Sequence, residues 1–430
     1  MFTRFDVLYS IATPLVYPFF AYKRLVKGKY RESGPAMLGK TLPTGEALKT
    51  FENGCIWIHA VSVGETVAAK SVAALICALR PDLPLVITTV TETGQAHARR
   101  LFPDAHVHYF PLDFSWNVQK FLDVFRPKIF IMMETELWPN FLSLAAKSGA
   151  QVFMLNGKLS DRSFPRYMKF RGLLSPVFDA ITAFCMQTEQ DAVKMRALSG
   201  RTDAVQVTGN CKFDALLPPL SDEEAQAFRT QYCLGDFARP LLVVGSTHPG
   251  EEEIILNAFA EARREVPALQ MILSPRHPER FNSVVEMCGQ HTANFKVSRA
   301  TAPAMESPDI LVLDKMGELA KIYGLGDVAV VAGSFGKVGG HNLLEAAAHS
   351  VPVVVGPNLR AQKELDRLFQ GDDTGCVRCD GETLGLTLVR LFQNETLRKI
   401  TGKQAYHTAI KNQGSASASA EIVKRYLNPQ

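Results

Sequence analysis

Short, almost uninterrupted apolar runs alternate with helix-spaced segments along this chain, and they do so in two series. The first comprises CIWIHAV from 55, LPLVITTV from 83, HVHYFPL from 106, KIFIMME from 128, QVFMLN from 151, ITAFCMQ from 181 and AVQVTG from 204. Strands that are apolar on both faces belong to parallel sheets covered by helices on each side. The alternation breaks at FDALLPPLSDEE, 213 to 224, where paired prolines precede a helix start at Ser221. It then restarts with PLLVVGST from 240, LQMILSP from 269, DILVLD from 309, VAVVAGS from 328 and VPVVVGP from 351. The pattern predicts an α/β protein of two doubly wound domains in tandem, with a cleft between them. The 430 residues suffice for two such cores.

Charge is concentrated at one end. Residues 1 to 40 hold seven Lys or Arg against Asp6 and Glu32, a balance of +5 in a chain whose formal charge is +4. The basic residues follow VLYSIATPLVYPFFAY, 7 to 22, an uncharged run that includes Pro14 and Pro18. It is shorter than the about 20 residues of a membrane span, and its charges lie on the wrong side for a cleavable signal. It reads as an aromatic-rich segment lying in one leaflet, with KRLVKGK on anionic headgroups, or else as a buried first helix. Eight scattered cysteines fit a reducing compartment, and the single C-x-x-C of Cys376 and Cys379 has no second pair to make a zinc site.

Strict nucleotide motifs are missing: GSFGKVGG, 333 to 340, lacks the P-loop spacing, and no G-x-G-x-x-G opens the first βα unit. No metal-binding pattern is evident. Polar groups nevertheless collect where strands end. In the first half, Glu65 follows Gly64 in HAVSVGETVAAKS, and Glu134 and Glu136 stand in METELWPN. Each is either a helix cap favoured by the dipole or a carboxylate facing the crevice, and the same dipole would keep Glu65 ionised as a general base. In the second half, Ser246, Thr247 and His248 precede one helix and Arg276 stands at the mouth of another strand. Asn342 and Glu345 open a third helix. That pair either accepts from ribose hydroxyls or forms a capping box, and the helix start near 340 offers amides to a phosphate. KLSDRSFPRYMKFRG, 158 to 172, sets Lys158, Arg162, Arg166, Lys169 and Arg171 among aromatics. With the leading apolar segment, that mixture suits an anionic lipid better than a nucleic acid, or is simply a solvated basic face.

SVGE (62–65), METELWPN, GNCKFD (209–214), GSTHPGEE (245–252), SPRHPER (274–280) and GGHNLLEAAAHSVPVVVGP (339–357) together resemble the 3-deoxy-D-manno-octulosonic acid (Kdo) transferases of lipopolysaccharide and lipid A assembly. The resemblance implies a membrane-associated, inverting glycosyltransferase with two facing Rossmann-like domains, the GT-B arrangement. It would work at the cytoplasmic face of the bacterial inner membrane. It implies a membrane-associated segment over 1–30, an acceptor domain over 31–215, and a donor domain over 216–430 whose last helix is able to return to the first. The donor would be CMP-Kdo and the acceptor the tetraacylated disaccharide bisphosphate precursor of lipid A, with no cofactor and no metal. Carried over by position, Glu65 matches the catalytic base, and Glu134 and Lys212 match residues supporting the transition state. Pro275, Arg276, Met316, Gly317, Glu318, Asn342, Leu343, Leu344 and Glu345 match donor contacts. The stretch from about 32 to 52 matches poorly. Two rivals from other classes are a GT-B-shaped sugar-nucleotide epimerase, which needs no lipid, and a non-catalytic membrane scaffold, which needs no CMP.

Overall fold

The computed structural model describes residues 2–25, 31–235, 239–291, 295–302 and 307–427. The chain forms two compact units, one of Met1–Ala215 with Asn412–Gln430 and one of Leu216–Lys411.

Seven parallel strands build the first sheet: β1 Cys55–His59, β2 Leu85–Thr89, β3 His106–Tyr109, β4 Pro127–Met133, β5 Gln151–Gly157, β6 Ala183–Met186 and β7 Val205–Val207. Their order is β3-β2-β1-β4-β5-β6-β7. The second sheet contains β8 Leu241–Thr247, β9 Gln270–Pro275, β10 Val297–Arg299, β11 Ile310–Val312, β12 Val328–Val331, β13 Val353–Val355 and β14 Cys376–Arg378. Here the order is β10-β11-β9-β8-β12-β13-β14, again all parallel. All twelve apolar runs are strands; β10 and β14 are additional. In each sheet the chain fills one side of the first strand, in the second sheet placing β10 at the edge before β11 enters between it and β9, and then returns to the other side of the first strand. The topological switch therefore falls between β1 and β4, and between β8 and β12. In open α/β sheets the crevice at the carboxyl ends beside such a switch is where ligands bind.

The two faces of the first sheet are buried differently. On one, the indole of Trp57 sits among Phe110, Phe125, Phe130 and Phe141 in edge-to-face or tilted contacts, its centroid 4.9 to 6.2 Å from theirs. On the other, Ile56 and Ile58 pack with Ala68 and Val72 of the helix Val63–Leu79, and with Ala420 and Val423 of the C-terminal helix Ser415–Leu427. That last helix is fastened by the segment before it. The Asp214 carboxylate accepts from the amides of Gly414 (2.6 Å) and Ala416 (3.0 Å), capping its first turn. The Gln413 side chain donates to the Phe213 carbonyl at 3.1 Å. Residues 208 to 214, Lys212 among them, are thereby held against the tail.

The N-terminal segment is one helix, Arg4–Leu25, running through Pro14 and Pro18. Among its described side chains the buried ones lie at the start: Asp6 accepts from the Ser115 amide and the Asn140 side chain, and the Tyr9 hydroxyl donates to Asp113. Further on, Ile11, Leu15, Tyr17 and Leu25 are 67 to 82% exposed. The buried-first-helix reading therefore holds at the start of the helix and not at these four exposed positions. Of the basic stretch that follows, 26–30 lie outside the described residues. No described helix is long and apolar enough to cross a membrane.

Candidate active site

Glu65 stands in the first turn of the helix that follows β1. Ser62 caps that helix, its hydroxyl accepting from the Glu65 amide (3.4 Å). The Glu65 carboxylate in turn accepts from the Val61 amide (2.9 Å) and the Ser62 hydroxyl (2.8 Å). Glu65 is therefore a cap, but capping engages one lone pair on each oxygen and leaves the others free to accept a proton. Burial, at 7% exposure, raises its pKa above the ordinary value. The two hydrogen bonds pull it back, Glu134 raises it and Lys212 lowers it. Desolvation, rather than the helix dipole expected from sequence, dominates, and it moves Glu65 toward the range of an effective base.

Across the switch, the residue after β4 is Glu134, a non-glycine residue in the left-handed region (φ 57°) whose amide donates to the Leu155 carbonyl. This unusual backbone turns the Glu134 carboxylate to Lys212, Nζ at 3.4 Å from Oε1. Glu136 shares the cluster: burial, then the charges of Glu65 and Glu134, push it up to about 7. The site thus gathers three carboxylates, with the Lys212 ammonium against Glu134 and acting on Glu65. Between the two glutamates of METEL, the Thr135 hydroxyl binds the Lys158 carbonyl (2.6 Å) and amide (3.2 Å), which brings Lys158 to the rim. Arg162 and Arg166 lie exposed farther along, the latter on the helix Phe164–Lys169.

In the second unit, Pro275 ends β9, and the Arg276 amide donates to Thr247 at the end of β8 (3.1 Å). Burial raises the pKa of Glu345, and the Asn342 side chain and then the Arg276 guanidinium pull it part of the way back. The Asn342 side chain donates to Glu345 (3.2 Å) and accepts from the Leu344 amide (3.2 Å). This is not the capping box considered from sequence, because Glu345 bonds a side chain instead of a backbone amide. The expected helix start near 340 is also displaced. Gly339 and Gly340 have φ of 100° and 85°, both amides donate to the Gly333 carbonyl, and the helix begins only at Leu344 and ends at Ala347. A single turn has little dipole, so this edge offers an anion side chains and loop amides instead of a helix start. Leu343 and Leu344 are buried, so only their backbone can meet a ligand. Met316 is exposed, Gly317 has a φ of 88°, and the Glu318 carboxylate accepts from the hydroxyl of buried Tyr232.

Three features of this edge escape a sequence reading. Glu251, in the acidic run GEEE, is buried and accepts from the amides of His248 (3.1 Å), Gly333 (2.8 Å) and Phe335 (2.9 Å), tying the loop after β8 to that after β12. His341 then meets His248, Nε2 to Nε2 at 2.8 Å with the rings parallel. Tyr232 as the partner of Glu318 is the third. These pairings join residues 82, 93 and 86 positions apart, so only the Glu251 cap, three residues after His248, carried a local signal. Among the described residues no His, Cys, Asp and Glu group is arranged to hold a metal ion.

A family model described as 3-deoxy-D-manno-octulosonic-acid transferase (kdotransferase) matches residues 34–215. The 3-deoxy-D-manno-octulosonic acid transferase of Haemophilus influenzae is 32% identical over 374 residues, 86% of this chain and 87% of that protein. That of Bordetella pertussis is 32% identical over 73% of each chain. Among solved structures, a UDP-GlcNAc 2-epimerase from Neisseria meningitidis aligns over 86% of this chain with a TM-score of 0.57 at 12% identity, a likeness of fold alone.

Proposed function

Since the chain belongs to the Kdo transferase family, we propose that it transfers Kdo from CMP-Kdo to the tetraacyldisaccharide bisphosphate precursor of lipid A, with Glu65 as general base. The observation that carries the chemistry is the buried carboxylate of Glu65 at the β1/β4 switch, with Glu134 and Lys212 beside it.

In the reaction, Glu65 takes the proton of the acceptor's primary hydroxyl as that oxygen forms a bond to the anomeric carbon of Kdo. The bond from that carbon to the phosphate oxygen breaks on the opposite face, its electron pair stays with CMP, and the centre inverts. Positive charge developing on the sugar ring is offset by Glu134, which Lys212 holds in place. Arg276 and the 339–345 loop receive the phosphate, Asn342 and Glu345 the nucleoside. Lys158, Arg162 and Arg166 meet the acceptor's phosphates. Exposed apolar residues of the helix Arg4–Leu25 and the bases after it support attachment to an anionic membrane surface, which this reading takes to be the cytoplasmic face of the inner membrane.

The test is incubation of purified protein with CMP-Kdo and the lipid acceptor, followed by mass spectrometry. Addition of whole Kdo units with release of CMP is the expected result. Conversion of CMP-Kdo without any lipid product would overturn the reading.

A further inference from the structure

We propose that His248 and His341 form a proton-linked receptor for the donor's phosphate: the pair is closed on itself in the free protein and takes up a proton when the phosphate arrives. The proposal rests on the donor-site reading above and adds to it two residues and a charge change.

The pair straddles the β8/β12 switch, His248 one residue beyond β8 and His341 at the far end of the loop that follows β12. It is a built arrangement. Glu251 fixes the His248 backbone and the Gly333 amide together, and a Cβ at Gly333 would stand 2.7 Å from His341 Cδ2, so only glycine allows the imidazole its place. Of two Nε2 atoms 2.8 Å apart, one must donate and the other accept. The closed pair carries at most one positive charge, because a second proton would set two N–H groups against each other.

The surroundings also oppose protonation. Burial lowers the pKa of both rings, that of His341 to about 4. His277 and Arg276, at the end of β9, add positive charge against each, with the rings of His277 and His248 5.3 Å apart. Glu251 and Glu252 favour protonation of His248, but the first is occupied by three amides and the second is paired with Arg280. Glu345 faces Arg276. An anion entering among these groups reverses the balance. The pair opens, each ring turns an N–H to an oxygen, and the proton taken from solvent is held by the negative charge. The phosphodiester of the donor brings one negative charge, and CMP leaves with nearly two, its second pKa being about 6. A receptor that gains a proton is therefore suited to the leaving group as its charge grows.

The experiment is titration calorimetry of the full-length protein with cytidine 5′-methylphosphate, a diester without a titrating proton near neutrality. It is run at pH 7 in three buffers of different ionisation enthalpy, with cytidine and CMP as companions. The expected result is uptake of roughly half to one proton per diester bound and none with cytidine. In His341→Gln and His248→Gln the uptake should vanish and diester affinity at pH 6 should fall about tenfold, with cytidine binding retained as proof of fold. Binding by the wild type with no proton uptake would overturn the receptor and leave the donor site standing. Uptake that persists in both variants would move the proton to another group and also overturn it. Failure of the wild type to bind either CMP or the diester would sink the donor-site reading, and the receptor with it.

Discussion

Glu65 is both a helix cap and the proposed base, and three variants separate those roles. In Glu65→Gln the amide oxygen still accepts from Val61 and the NH2 donates to a reoriented Ser62 hydroxyl, so both bonds of 2.9 and 2.8 Å have replacements. Stability is expected to change by less than about 1 kcal/mol. Glu65→Ala removes both and leaves a partly buried amide unpaired, at a cost of about 1–3 kcal/mol. For a unit of roughly 200 residues each kcal/mol lowers Tm by about 2–4 °C. Ser62→Ala removes the cap itself, about 1 kcal/mol. Activity should order the variants differently. Gln and Ala both lose the base, at about 100- to 10,000-fold in kcat, whereas Ser62→Ala keeps it. The assay is differential scanning fluorimetry beside single-turnover Kdo transfer, with CMP affinity as a control that should not move. If Ser62→Ala lost as much activity as Glu65→Gln, or if Glu65→Gln stayed near wild-type turnover, the carboxylate would be a structural cap and nothing more.

Other outcomes follow from the same geometry. Glu136 is raised from 4.5 to about 7, so the folded state holds its proton where the unfolded state releases it, and stability must fall as pH rises through that window. Glu136→Gln is therefore expected to show a smaller loss of Tm between pH 5 and pH 8 than the wild type; an equal loss would mean the carboxyl does not titrate there. Asp214→Ala should lower Tm by a few degrees through loss of about 1 kcal/mol of capping. It should lower kcat as well by loosening the Lys212 loop, with Asp214→Asn, which keeps one of the two accepting oxygens, restoring each in part; unchanged values for Ala would show that the clasp is idle. Leu15→Glu with Tyr17→Glu alters side chains 82% and 67% exposed. It is expected to leave Tm unchanged and to abolish cosedimentation with anionic vesicles, and undiminished cosedimentation would count against the membrane assignment.

Ten of the twelve strands legible in the sequence are interior strands whose runs are apolar; β3 and β7 are edge strands, legible because the longer runs HVHYFPL and AVQVTG carry them. β10 (VSR) and β14 (CVR) lie at the edges of their sheet with one neighbour each and are only partly buried, so no apolar run marks them. Strand order is not written in periodicity either, and with it the position of the switches was hidden. Glu65, Glu134 and Arg276 could still be picked out, because a polar side chain between the end of a strand and the first turn of the next helix stands at the crevice whatever the order. What failed was detail set by long-range packing. The capping box at Asn342 and the helix start near 340 were overridden by two glycines folding back on the Gly333 carbonyl. The balance at Glu65 was set by burial, which has no local sequence signal. The His248–His341 contact depends on two loops meeting, 93 positions apart in the chain.

The bonds from Asp214 to Gly414 and Ala416 have a practical meaning for anyone dividing the molecule. The first unit is interrupted, and residues 216–411 are an insertion within it. A single cut at 215 would strip Ala420 and Val423 from the first unit's core and leave the other fragment trailing an amphipathic tail prone to stick to itself. Excision of 216–411, with the two ends rejoined by a linker of a few residues, respects the natural seam, because those ends are already hydrogen-bonded neighbours.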